Sequence, residues 1–385
     1  MLACKEILRI RIMARSKNHT LIVAAKRTPI LRIAKKWQDI SAVDLGRRVI
    51  RELLCLQNHI KGPEPDQVIM GTFAKPNEFL NPAKEACARA GYEDLNAFTV
   101  SKVCGSGLLS VILGNALIKS GEADCVVAGG MENLLNLPEN VMLSLLRDPH
   151  TDEMTWHAGD WCAKTCGISR KEQDDWAVES YRRAWEAYQR GSFKNEIVLF
   201  QQDYDEEPFR PLDENKIRGA ELMPGCTTIT ALNSSKNAGG AAAVMLTNRA
   251  TAKKYALNPL AQILSSASVA LGGEMRKFTI APPFAIRKAL KKARLNVNDI
   301  DLYFINTAFS SVTLHASREL GIPLEKINVN GDAVSFGHPI GATGAKLLVE
   351  AVWALKNLDL RYAVVSLCNA PAEATAMVVE NIKFS

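Results

Sequence analysis

Several features that mark whole classes of protein are missing from this chain. No cluster of lysine and arginine is interleaved with aromatics, so no nucleic-acid-binding surface is indicated. No apolar run approaches the length needed to cross a bilayer, and no membrane association is expected. The nine cysteines are scattered without the paired spacing of a disulfide framework, and no secretory signal is apparent. Reduced thiols in a reducing compartment are the expectation. Cys162 and Cys166 stand four residues apart in a helical stretch but have no second ligand pair, so no metal site is expected.

What is present suits a globular protein with two or three domains. The chain has 385 residues, of which 47% are hydrophobic and 23% charged. Its net charge of +6 fits a solvated surface or the attraction of an anionic ligand. Met1 to Lys17 holds Lys5, Arg9, Arg11, Arg15 and Lys17 against Glu6 alone. This stretch reads as an extension without a targeting role, which implies a cytoplasmic protein. A mitochondrial targeting segment is the alternative. The C-terminal Lys383-Phe384-Ser385 is not a peroxisomal signal.

Cys104 lies in the run Val103-Cys104-Gly105-Ser106-Gly107, between an extended segment at Ala97 to Val100 and an apolar helix over Leu108 to Ser120. A thiol at a helix start faces unpaired backbone N–H groups and the positive end of the helix dipole, both of which favour the nucleophilic thiolate. The alternative is a buried cysteine on a tight strand-to-helix turn. The helix is apolar on nearly every face, which predicts a place in the core.

A second segment, Gly337-His338-Pro339-Ile340-Gly341-Ala342-Thr343-Gly344, also opens a long helix and leads to a strand, Tyr362 to Leu367, followed by Cys368. An offset of 237 relates Gly107 to Gly344, Cys125 to Tyr362 and Met131 to Cys368. An offset of 235 relates Asp66-Gln67-Val68-Ile69-Met70 to Asp301-Leu302-Tyr303-Phe304-Ile305. The period is too long for a solenoid and reads as an internal duplication. Two such halves would bring Cys104, His338 and Cys368 together. Alternating strands and helices predict a mainly parallel sheet covered on both faces.

These motifs resemble the thiolase family. The resemblance is carried by the Cys104 and His338 segments, Gly129-Gly130-Met131-Glu132 and Asn328-Val329-Asn330-Gly331. Val23 to Pro29 and Gly167 to Gln173 add to it. It runs from about Leu21 to Glu380. The resemblance implies an α/β fold of two duplicated halves in five αβαβα layers with an inserted loop domain. The expected division is residues 1–18 as extension, 19–131 with 237–259 as the first half, 132–236 as the loop domain and 260–385 as the second half.

It also implies an acyl-CoA acyltransferase that forms or thiolytically cleaves a 3-ketoacyl-CoA, with coenzyme A thioesters as substrates and no further cofactor. Cys104 resembles the nucleophile, His338 its activator, Cys368 the second cysteine that handles the α-proton, and Asn306 the asparagine that orients a water. Asn306 with His338, and Cys104 with Ala370, match the two oxyanion holes. Ser235, His157, Arg218 and Phe309 match positions near coenzyme A. A homodimer is expected.

Four departures stand out. The last motif reads Cys368-Asn369-Ala370-Pro371 where the family has glycines, and Thr307 stands where the family has glutamate after Asn306. Lys236 and Asn237 replace small residues, and the loop region is short. They leave room for a related Claisen-condensing enzyme with a different acyl donor, or for a non-catalytic homologue.

Overall fold

The computed structural model describes residues 19–60, 62–74, 80–148, 150–202, 204–209 and 212–384. The expectations for the N-terminal extension lie outside them. The strands are β1 (Leu21–Arg27), β2 (Gln67–Gly71), β3 (Ala97–Val100), β4 (Cys125–Asn133), β5 (Gly239–Thr247), β6 (Ala261–Ala270), β7 (Leu302–Ile305), β8 (Tyr362–Asn369) and β9 (Glu373–Asn381). The helices that bear on the site are α1 (Ala42–Ile60), α2 (Pro82–Arg89), α3 (Ser106–Ser120), α4 (Thr155–Thr165), α5 (Arg170–Gln189), α6 (Pro282–Ala293), α7 (Ser310–Leu320), α8 (Ala333–Phe336) and α9 (Thr343–Asn357).

Period-two patterning sorts each strand between two faces. Along β4, Val126 and Ala128 turn to a central core while Cys125, Val127 and Met131 turn to an outer one with α1 and α2. Along β9, Met377 and Val379 join the central core while Ala374, Ala376 and Val378 face α6 and α7. Leu108 and Val111 of α3, and Leu347, Leu348 and Val352 of α9, lie in that central core between the strand faces of both halves. Helix, sheet, helix, sheet, helix is therefore the layer order, as the family resemblance implies.

The strand order is β3-β2-β4-β5-β1-β6-β9-β8-β7, and the halves join at β1 and β6 through Leu21–Gln262 and Ile22–Ala261. The sheet is mixed, not mainly parallel. Among the described residues the parallel pairs are β2–β3, β2–β4 and β7–β8. The antiparallel partners arise because β4 and β5 are joined by the long 134–238 excursion, and β8 and β9 by the tight turn at Ala370–Ala372. The tight turn dictates the antiparallel pairing of β8 and β9, whereas the 134–238 excursion, which contains α4 and α5, returns the chain so that β5 runs antiparallel to β4.

The duplication is visible in the element bounds. Both α3 and α9 have 15 residues, and their starts lie 237 positions apart. Val103–Ser120 is in fact long and apolar enough to cross a membrane, contrary to the sequence expectation. Its packing between the two sheets accounts for that composition.

Where the two helix starts cross, only glycine fits. A Cβ on Gly344 would lie 2.5 Å from the Leu108 nitrogen, and one on Gly107 would lie 2.9 Å from the Ala345 nitrogen. Both neighbours are backbone and cannot swing away. Gly344→Ala is therefore expected to destabilise the protein by about 1–3 kcal/mol through overpacking. A lowered urea midpoint would show it, and an unchanged midpoint would refute it.

Candidate active site

Cys104 sits on an elbow between β3 and α3. Val103 has φ 49°, a left-handed conformation that costs a β-branched residue about 1–3 kcal/mol. Ser106 holds the elbow: its Oγ accepts from the Lys102 N–H at 2.8 Å and donates to the Val103 carbonyl at 2.6 Å. Gly105 is the N-cap of α3, so Cys104 stands one residue outside it.

His338 reaches Cys104 from the other half, with Nε2 3.3 Å from the Cys104 sulfur. Its tautomer follows from Thr343. The Thr343 hydroxyl has one proton and donates it to the Pro339 carbonyl at 2.9 Å. It can therefore only accept from His338 Nδ1, 2.7 Å away. Nδ1 carries the hydrogen, and Nε2 presents a lone pair to the Cys104 thiol.

Asn306 follows β7 and Cys368 lies near the end of β8. The parallel register that pairs Ile305 with Ser366 brings them side by side. The Asn306 Nδ2 lies 3.4 Å from His338 Nε2. Burial pushes the Cys368 thiol up to about 12, and a hydrogen bond from Asn306 opposes that shift. The Asn306 Oδ1 is buried without a protein partner. The Cys104 thiol is raised well above its ordinary value, mainly by burial and secondly by Cys368 beside it. Burial, with Lys346 nearby, lowers His338 to about 3. The resting pair is thus neutral thiol and neutral imidazole. This corrects the expectation that the helix start holds Cys104 as a thiolate: desolvation outweighs the dipole.

An apolar wall surrounds Cys368, including Phe309, Phe278, Met275, Met223 and Trp156, with Ala370 at its edge. Ala370 lies in the turn after β8 and is joined to Pro371 by a cis peptide bond. Ser235 lies along the segment that runs between Phe309 and His338. Its N–H donates to the Ala308 carbonyl at 2.9 Å, and the next residue, Lys236, accepts from the His338 N–H at 2.7 Å. His157 is in the first turn of α4, its Nε2 3.0 Å from the Pro224 carbonyl. Arg218 lies on the surface, paired with Asp175 at 2.6 Å and Glu214 at 3.5 Å. The structure thus gathers Cys104, His338, Asn306 and Cys368, sets Ser235, Phe309 and Ala370 at their edge, places His157 beside Trp156 of the apolar wall, and pairs Arg218 with Asp175 and Glu214.

Residues 20–250 match the family described as the thiolase N-terminal domain, and residues 257–381 match the thiolase C-terminal domain. The chain belongs to the thiolase family. This thiolase is 35% identical to the acetyl-CoA acetyltransferase of Yarrowia lipolytica, over 95% of this chain and 97% of that one. It is 35% identical to a probable acetyl-CoA acyltransferase of Staphylococcus aureus, over 95% and 100%. Human mitochondrial 3-ketoacyl-CoA thiolase, solved in complex with CoA, superposes with a TM-score of 0.90 at 28% identity, over 94% of this chain and 98% of that one. The protein is an acyltransferase of thiolase type.

Three residues stand inside the quoted motifs, but the motifs do not reveal what they do. Thr343 sets the His338 tautomer from the first turn of the next helix. Glu132, noted only as part of a glycine motif, is buried. Its Oε2 accepts from the N–H groups of Phe73 and Gly341, each at 2.9 Å, and burial raises it to about 7. Asn369 is buried against Gly105, where its Oδ1 would meet an added Cβ at 2.6 Å.

A raised thiol is protonated at neutral pH. Alkylation of Cys104 by iodoacetamide should therefore keep climbing as pH rises above neutrality, without the plateau of a thiolate–imidazolium pair. His338→Ala should slow it by about 10²-fold at neutral pH. A rate already level at neutral pH would contradict the neutral pair.

Proposed function

We propose that this thiolase cleaves and forms 3-ketoacyl-CoA, acetoacetyl-CoA foremost, through an acyl group carried on Cys104. The observation that carries this reading is the 3.3 Å contact between the Cys104 sulfur and a His338 Nε2 that can only accept there.

In the thiolytic direction the Cys104 sulfur attacks the 3-keto carbon and its proton passes to His338 Nε2. The oxyanion collapses, the bond between C2 and C3 breaks, and the electron pair leaves as the enolate of acetyl-CoA. Cys368 supplies the proton at C2 and becomes a thiolate, which then takes the proton of the incoming CoA thiol. That thiol carries the acyl group away, and His338 returns its proton to Cys104. Asn306 and protonated His338 donate towards the developing oxyanions. A water donating to the unpaired Asn306 Oδ1 would satisfy that atom.

The likeness to a thiolase solved with CoA supports coenzyme A thioesters as substrates. The packed wall of aromatic and methionine side chains around Cys368 supports a short acyl group. Thiolysis of acetoacetyl-CoA should be measurable in the wild type and lost in both Cys104→Ala and Cys368→Ala. Turnover surviving in Cys104→Ala would sink the acyl-cysteine route. Absence of turnover in the wild type, with acetyl on Cys104 detected by mass, would favour a different acyl donor or acceptor.

The reading includes a homodimer. β3 is one of the two edge strands of the sheet, and its four residues are all half-buried, which supports pairing of two copies along that edge. Light scattering should give twice the chain mass, and the mass of a single chain would exclude the dimer.

A further inference from the structure

Asp332 is buried between the segments that carry Asn306 and His338, and both of its carboxylate oxygens are fully engaged. Oδ2 accepts from the Thr307 hydroxyl at 2.6 Å, the Trp176 indole N–H at 2.8 Å and the Asn328 amide at 3.3 Å. Oδ1 accepts from the Ser180 hydroxyl at 2.7 Å and the Val334 N–H at 2.9 Å. A carboxylate burying both oxygens this far from water persists only where donors replace the lost hydration.

The donors differ in what they hold. Val334 belongs to the single turn of α8, which Asp332 caps and which leads through Gly337 to His338. Thr307 directly follows Asn306. Its hydroxyl proton must go to Asp332, because an ionised carboxylate cannot donate. Its lone pairs are then left for the Thr313 hydroxyl at 2.7 Å and the Asn328 amide at 3.2 Å. On the other side of Asn306, the Asn328 side chain accepts from the Ile305 N–H and donates to the Ile305 carbonyl, each at 2.8 Å. Asn306 is thus clamped at both neighbours. Trp176 and Ser180, both from α5, fix the carboxylate itself.

We propose that Asp332 is a positioning residue that sets Asn306 and His338 relative to each other, through Thr307 on one oxygen and the first turn of α8 on the other. The inference rests on the reading of Asn306 and His338 as the groups that meet developing negative charge. Their 3.4 Å separation is then the quantity that Asp332 maintains. A misplacement of about 1 Å in such a pair is enough to cost 10²-fold in rate.

Two substitutions at Thr307 separate this from packing. Thr307→Val keeps the shape, removes the hydroxyl and leaves the other four bonds of Asp332. Thr307→Ser keeps the hydroxyl and removes a methyl. For thiolysis of acetoacetyl-CoA, Thr307→Val should lower kcat about tenfold with KM changed less than about twofold. Thr307→Ser should stay within about threefold of the wild type, and Cys104 alkylation should change less than about twofold in both.

Equal kcat in Thr307→Val and wild type would overturn the proposal. So would a Thr307→Ser loss as large as that of Thr307→Val, since the methyl and not the hydroxyl would then matter. If the wild type itself cleaves no acetoacetyl-CoA, the substrate reading fails separately. The positioning claim is then decided by a crystal structure of Thr307→Val. The Asn306–His338 separation should change by more than about 0.5 Å, and an unchanged separation refutes the claim.

Discussion

The site depends on the close crossing of two helix starts. Cys104 precedes one and His338 the other, and each is useful only at hydrogen-bond distance from its counterpart. Gly107 and Gly344 let backbone meet backbone there: the backbone of Ala345 fills the space that a Cβ on Gly107 would need, and that of Leu108 the space of one on Gly344. Everything else in the layer order serves this contact. The sheets cover the two helices, and the outer helices cover the sheets. The duplicated register makes the two starts arrive together. A duplication is an economical way to build such a centre, because one strand-to-helix turn repeated about an axis presents two chemistries to one point.

The electrostatics of this centre are those of a dry site and not of an exposed helix end. Burial raises both thiols and lowers the imidazole, so the resting state holds no charge on any of the three. In the proposed reaction, charge appears only when the proton crosses from Cys104 to His338 as the new bond forms. A buried cation lies close by: Lys346 pairs with Glu350 at 2.6 Å and rests over the Phe336 ring at 4.3 Å. Its field adds to burial in keeping His338 neutral.

Much of this was legible in the sequence, for identifiable reasons. The apolar run from Leu108 announced a core helix because no face of it is polar. The matching spacings from Gly107 to Cys125 and from Gly344 to Tyr362 announced the repeat because both elements are regular. The mixed sheet was not legible, because strand direction depends on how the 134–238 excursion returns, and no local pattern encodes that. Nor was the tautomer of His338, which depends on one hydroxyl proton of Thr343. Arg218 resembled a ligand-binding cation by position alone; its partner Glu214 stands one helical turn before it, while Asp175 is brought near by folding.

Thr307 shows why a departure from a family pattern has to be read in three dimensions. As sequence, threonine in place of glutamate beside Asn306 is the loss of a carboxylate. In the fold, Asp332 brings a carboxylate against Thr307, and the Thr307 hydroxyl donates to it. The Cys368-Asn369-Ala370-Pro371 turn is different in kind. There a buried amide, Asn369, donates to the Thr375 hydroxyl at 2.9 Å while its oxygen has no protein partner. Such an atom costs about 1–3 kcal/mol when left unpaired. The first change leaves its network closed, whereas the second leaves an acceptor open beside the helix start that follows Cys104. Differences between this thiolase and its relatives should therefore concentrate on the turn after Cys368, while the Asn306–His338 side keeps its alignment.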